Sequence, residues 1–229
     1  MKSLFFVLFL PILLTAQRNT KQQAVMADLY PTEAVETYDL RTRTEIKRVF
    51  FNQEWLEGHL LFIDGKTSNE NFPIKYDILN QELNVSVGNA IYAVPLSAKT
   101  HGFILKKVIG PEYEFRIRKI GKEVNPTIFE VAVKGKYQLF VKHYAEKIKP
   151  NYVAALDAGT RDEKAVVKEL FYLLDNRGRL IEIPKKQKAA REVLGEYTSA
   201  RRYLAKNKVN FKDRESLREL VLFMNNFQK

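Results

Sequence analysis

The sequence contains no cysteine, and among its 229 residues it has only one tryptophan and three methionines. The absence of cysteine excludes disulfide bonds, a thiol nucleophile and attachment of lipid to a cysteine. The chain also has no second long apolar run after residue 14. Because a membrane-spanning helix needs about 20 consecutive apolar residues, no transmembrane segment is expected downstream of that point.

Several catalytic signatures are missing as well. The chain has no G-x-S-x-G nucleophile elbow, no G-x-x-x-x-G-K-[ST] phosphate loop and no H-E-x-x-H zinc motif. No residue is therefore assigned as catalytic, as a metal ligand or as a cofactor ligand. On this ground we expect a protein that binds or supports other molecules and is not an enzyme.

The chain opens with a short apolar run, Leu4–Leu14, which is preceded by Lys2 and followed by Ala16. A basic start, a short apolar stretch and a small residue before the cleavage point are typical of a secretory signal peptide. Residues 1–16 are predicted to be removed, so that the mature chain starts at Gln17. The predicted location is periplasmic or extracellular.

The fold class follows from hydrophobic periodicity. Residues 17–46 are polar and are predicted to form a lead-in segment, whereas residues 47–184 show short apolar runs separated by turn residues. In one of these runs Phe115 and Ile117 alternate with charged residues, as in a strand with one buried face. About eleven such strands are expected, and a sheet of that size should curl into a barrel-like or sandwich form.

After Pro184 the period changes to that of helices, and residues 185–229 are predicted to form about three helices packed on the antiparallel β domain. Gly195 should separate the first two, since glycine costs about 1 kcal/mol relative to alanine inside a helix. The last helix has the clearest apolar stripe, with Asn210 or Asp213 available as its N-cap. The residues of that stripe are Leu217, Leu220, Val221, Met224 and Phe227. The predicted class is α+β, predominantly antiparallel β.

The formal net charge is +11, and residues 176–229 alone carry fourteen Lys and Arg against six Asp and Glu. Five residues combine bases with an aromatic ring on neighbouring candidate strands: Arg116, Arg118, Lys134, Lys142 and Tyr144. Such a face could bind an anionic glycan or nucleic acid. The alternative is that these bases only keep the solvent-facing side of the sheet from aggregating.

Three acidic side chains provide an enzymatic alternative. Glu54 and Glu57 flank Trp55, and Asp64 follows in the next predicted turn. Two carboxylates beside an aromatic platform could cleave a glycosidic bond if their separation is about 5 to 9.5 Å. Sequence alone does not set that separation, and a core or rim anchor is the preferred interpretation of the tryptophan.

Two groups of side chains could form metal sites. His59, His101 and His143 lie at equal intervals of 42 residues, but their flanking sequences differ, which favours separate structural roles. In the loop of residues 149–163, Asp157, Asp162 and Glu163 could hold calcium, although their spacing does not match an EF-hand. An ordinary surface turn is the preferred interpretation of that loop.

Three segments carry a family resemblance: FFNQEWLEGHLLFIDGK, NFPIKYDILNQELNV and YTSARRYLAKNKVNFKDRESLRELVLFMNNF. In this order, after a signal peptide, they resemble an uncharacterised family of exported, β-rich envelope proteins from Bacteroidota. The resemblance spans nearly the whole mature chain and implies an envelope location and a β-rich body with terminal helices. It supplies no functional residue.

These observations together predict an exported, non-enzymatic binding or structural protein of the cell envelope. Its partner is unknown, and an anionic envelope polymer or another envelope protein are the candidates. Two alternatives stay open: a hydrolase that acts on envelope polymers through paired carboxylates, and self-association through the C-terminal helices.

Overall fold

The computed structural model describes residues 48–88, 90–94, 100–107, 109–121, 125–148 and 164–227. The predicted signal peptide, the lead-in segment and the loop with Asp157, Asp162 and Glu163 lie outside these ranges. Within them, no helix combines the length and the apolar character that a membrane crossing requires.

Ten strands are present in the described ranges, where about eleven were predicted. In chain order they are β1 Leu56–Phe62, β2 Phe72–Asp77, β3 Glu82–Val87, β4 Ala90–Val94, β5 Thr100–Leu105, β6 Tyr113–Arg118, β7 Thr127–Val133, β8 Gln138–Ile148, β9 Lys164–Leu174 and β10 Leu180–Ile183. Three helices follow: α1 Gln187–Leu194, α2 Thr198–Lys206 and α3 Arg214–Asn226. The predicted α+β class with mostly antiparallel strands and three C-terminal helices is confirmed.

All ten strands form one antiparallel sheet in the order β10-β9-β8-β7-β6-β5-β1-β2-β3-β4. Every consecutive pair is adjacent except β4 and β5, because β5 returns to pair with β1. Four glycines in turns between the strands, Gly65, Gly88, Gly135 and Gly178, all have positive φ, between 61° and 146°. Short turns of this kind explain why the sheet is mainly a meander.

The sheet is open at β10 and β4, and it curls on itself. Gln81, in the turn between β2 and β3, donates to the His143 carbonyl in β8 (3.4 Å) and accepts from the Ile128 amide in β7 (3.3 Å). Four strands separate β2 from β8 in the sheet order. Only strong curling brings that turn against β7 and β8, as the strand count predicted.

The inner face of the curled sheet, on which Phe115 and Ile117 lie, carries two apolar clusters. One joins β1–β6 and Ile128, and the other joins β7–β10 to the three helices. The opposite, outer face has a smaller cluster of Phe129, Phe140 and Tyr172. The sheet is therefore buried on its inner face along most of its width.

The helices follow their predicted pattern. α1 ends at Leu194, directly before Gly195, and the Asp213 carboxylate caps α3 by accepting from the Ser216 amide at 2.8 Å. Four of the five predicted stripe residues are buried in the inner cluster: Leu217, Leu220, Val221 and Met224. This stripe is thus part of the core of the chain, which leaves it no free surface for self-association.

Candidate functional site

The five residues of the predicted binding surface lie on the outer face of β6, β7 and β8. Arg116 is paired with Phe129 of the outer cluster, and Arg118 lies two residues further along β6 on the same side. Lys142 and Tyr144 alternate with the inner residues of β8, while Lys134 follows β7 and contacts Glu114. We call Arg116, Arg118, Lys134, Lys142 and Tyr144 the basic face.

Glu114 neutralises part of the basic face. Its carboxylate is 2.6 Å from Arg116 Nη2 and also contacts Lys134 Nζ, and its side chain is only 11% exposed. Burial acts to raise the pKa of Glu114, but the hydrogen bonds and charges of Lys134 and Arg116 outweigh it and lower the pKa. Arg116 and Lys134 are therefore less available to a ligand than their sequence positions indicated.

Arg118 and Lys142 have no ion-pair partner among the described residues. Partial burial, followed by repulsion from Arg116, lowers the pKa of Arg118. Burial lowers the pKa of His101, and the positive charges of Arg118 and Arg116 lower it further. Because like charges are held close together here, an anion placed between them would relieve their repulsion.

The carboxylates of the enzymatic alternative do not line the cavity described below. Glu57 lies near the start of β1, whereas Asp64 is in the turn after its end. At about 3.3 Å per residue, the intervening strand separates the two by roughly 20 Å, beyond the range for glycoside hydrolysis. Glu54 and Glu57 are both exposed, and Trp55 is half-buried with Lys75 Nζ 5.5 Å from its ring.

The three histidines lie on three strands, His59 in β1, His101 in β5 and His143 in β8. The described part of the chain has no group of three or more metal-ligand side chains arranged to hold an ion. His143 is instead bound to Glu130, with 2.8 Å between His143 Nε2 and Glu130 Oε2. Both side chains are almost completely buried.

Around Glu130 is a charged group that the sequence did not reveal. Arg214, the first residue of α3, donates from Nη1 and Nη2 to the two carboxylate oxygens of Glu130, and its Nη1 is 3.6 Å from Glu169 Oε1. His143 Nδ1 is 3.8 Å from the same Glu169 oxygen. We call Glu130, His143, Glu169 and Arg214 the buried ion network; it joins α3 to β7, β8 and β9.

The network depends on the charge of Glu130. Burial acts to raise its pKa, but the hydrogen bonds from His143 and Arg214 outweigh burial and lower it. The carboxylate therefore stays ionised while 3% exposed. The one signal in the sequence was a single charge in an otherwise apolar strand, TIFEVAV.

A cavity of about 620 Å³ lies where the helices meet two hairpin turns. It is bounded by the β7–β8 turn, the β9–β10 turn, the start of α2 and the end of α3, and we call it the helix-end cavity. Its lining residues are Lys136, Tyr137, Asn176, Arg177, Arg179, Glu196, Tyr197, Thr198, Ser199, Met224, Asn225 and Phe227. No sequence motif linked these four segments.

One wall of the helix-end cavity is held by Asp175, which is buried in the β9–β10 turn. Its carboxylate accepts from the amides of Arg177 and Arg179 (both 2.9 Å), from Arg179 Nε (2.7 Å) and from the Tyr197 hydroxyl (3.1 Å). Burial and the hydrogen bond to Asp175 raise the pKa of Tyr197 to about 12. Its phenol therefore stays protonated and donates. Asn225 holds the adjoining part of the lining, since its side-chain amide bonds both backbone groups of Tyr137.

Asp175 should make the fold sensitive to acid. Burial acts to raise its pKa, but bonds from Arg179, Arg177 and Tyr197 lower it to about 2. Since this is below the unfolded value of about 4, its stabilisation is complete above pH 4 and is lost as the pH falls towards 2. We expect the Tm of the native chain to fall more steeply between pH 4 and pH 2 than that of Asp175→Asn, which should be the less stable of the two at pH 7. Equal slopes in thermal melts would contradict this assignment.

In comparisons with family models, curated proteins and solved structures, nothing matches this chain. Only its own geometry therefore bears on its function. That geometry offers a basic outer face, a buried ion network and a helix-end cavity. The network has all its charges paired internally, whereas the basic face and the cavity both present unpaired bases among the described residues.

Proposed function

We propose that this chain is an exported, non-enzymatic protein of the cell envelope that binds an anionic polymer through its basic face. The observation that carries the proposal is the position of Arg118 and Lys142 on one face without ion-pair partners among the described residues. The apolar run at the start of the sequence and the resemblance to exported envelope proteins support the location.

The chemistry of the face suits a polyanion better than a neutral partner. Arg118, Arg116 and Lys142 lie on β6 and β8, with only β7 between these strands, at about 4.8 Å per strand. The spacing of the bases is thus comparable to that of successive charges on a sulfated or phosphorylated polymer. Tyr144, on the same side of β8, adds a ring against which a sugar or base can pack.

The basic face predicts a salt-dependent interaction. With about three bases engaged, affinity for a flexible polyanion should fall roughly 20-fold between 50 and 200 mM salt. A fluorescent heparin octasaccharide is a suitable probe in anisotropy titrations with the full chain. Binding that is insensitive to salt over this range would remove the electrostatic part of the proposal.

Charge reversal tests the face directly. Arg118→Glu and Lys142→Glu should each weaken heparin binding by about tenfold, because each removes an attractive contact and adds a repulsive one. Arg116→Glu should have a smaller effect, since Arg116 is already bound to Glu114. The matched control is Lys212→Glu, an exposed base before α3, which changes the net charge equally. An equal loss in the control would show that only net charge matters.

A further inference from the structure

We infer that the helix-end cavity is a binding site for a small organic oxyanion, in which a phosphate or carboxylate group is attached to an apolar ring. This site is separate from the basic face and from the polymer binding proposed for it. Its volume of about 620 Å³ is within the usual range for small-molecule sites. The ligand class follows from three properties of the lining.

The first property is unpaired positive charge. Lys136 and Arg177 line the cavity, and neither has an ion-pair partner among the described residues. Arg179 also lines it, but its charge is largely balanced by Asp175, 2.7 Å away. Glu196 is the one carboxylate in the lining and lies 3.9 Å from Arg179, where its side chain is mostly exposed. The two free bases thus leave the cavity net positive.

The second property is a set of donors that have no partner. α2 begins in the cavity wall with Tyr197 as N-cap, and no side chain caps it. The first amides of a helix have no acceptor within the helix and carry its partial positive charge. Independently, Ser199 is a buried lining residue, only 7% exposed, and its side chain has no hydrogen-bond partner among the described residues. An oxyanion supplies the acceptors that these groups lack.

The third property is an apolar, rigid wall. Tyr137 and Tyr197 pack edge to face with their ring centroids 5.7 Å apart, and Met224 and Phe227 complete the apolar part of the lining. The bonds of Asn225 and Asp175 hold both tyrosines in place. A preformed apolar wall beside bases and amides suits a ring that carries an anionic group, whereas a bare ion would leave the wall without a contact.

The test is calorimetric titration of the full chain with phenyl phosphate, benzoate and inorganic phosphate. We expect saturable binding of one equivalent of phenyl phosphate or benzoate, about tenfold tighter than inorganic phosphate because of the apolar wall. If phenyl phosphate binds more tightly than benzoate, the site is for a phosphate group, and the reverse order indicates a carboxylate. Absence of saturation by both at about 20 mM, or binding of inorganic phosphate as tight as either, would overturn the inference.

Substitutions in the lining test whether the ligand binds in this cavity. Arg177→Gln should weaken binding of the tighter organic ligand by about fivefold, because a charged donor is lost. Ser199→Ala should weaken it by about threefold, because a neutral donor is lost. Lys208→Gln, an exposed base outside the lining, is the control. Unchanged affinity in both cavity variants would overturn the inference. Arg118→Glu should leave phenyl phosphate binding unaltered, so this site can fail or hold independently of the polymer site.

Discussion

Replacing Gly102 with alanine should destabilise the fold by about 3 kcal/mol or more. Gly102 lies in β5 and is paired on both sides, with Leu61 of β1 and with Arg116 of β6. A Cβ at this position would overlap the carbonyl oxygen of Phe115 and would lie 3.1 Å from its carbonyl carbon. Because the overlap is with backbone that is hydrogen-bonded within the sheet, no side-chain rotation can relieve it.

Thermal or urea unfolding of the purified full chain measures this effect. The matched control is Gly65→Ala in the β1–β2 turn, where φ is +83° and no atom beyond the two adjacent residues lies within 4 Å of the added carbon. Backbone strain alone should cost about 1–2 kcal/mol there. If the two variants lose equal stability, the close approach of β5 and β6 is not what requires glycine at residue 102.

The second large effect is expected for Glu130→Gln, which removes the charge at the centre of the buried ion network. Arg214 and His143 would then face a neutral amide in a place that water hardly reaches. Breaking a buried pair from one side costs about 3–5 kcal/mol, and partial exposure of Arg214 favours the lower end. For a chain of this size, a loss of about 3 kcal/mol corresponds to a fall in Tm of roughly 6–12 °C.

Glu146→Gln is the matched control, because Glu146 pairs with Lys168 on the exposed part of the β8–β9 hairpin. No measurable change in Tm is expected there, since surface pairs contribute little. In the double variant Glu130→Gln, Arg214→Gln the loss should be smaller than the sum of the two single losses. Additive losses would show that the two side chains do not stabilise each other.

Much of the local structure could be predicted from sequence. The apolar stripe of α3 and the break at Gly195 follow from the helical period and from the cost of glycine, and both are confirmed. The alternation of Phe115 and Ile117 with Arg116 and Arg118 predicted which side of β6 is buried, and this is confirmed as well. These features depend on neighbours within a few residues, whose geometry the backbone period sets.

The pairing of charges could not be predicted in the same way. The sequence predicts Arg116 and Lys134 as part of a binding face, yet both contact Glu114, and Lys134 does so from beyond the next strand. The partners Glu130 and Arg214 are 84 residues apart. The helix-end cavity combines four segments whose sequences have no common pattern. Whether the basic face and the cavity bind anions stays a prediction.

Local sequence patterns predict the helical or extended period of the elements and the buried side of a strand such as β6, because these features depend on steric and hydrophobic preferences over a few residues. Long-range packing sets which charges are neutralised, where the sheet curls and which turns enclose a cavity with the helix ends. Those outcomes depend on distances between residues far apart in the chain, and Coulomb energies and hydrogen bonds change steeply with such distances.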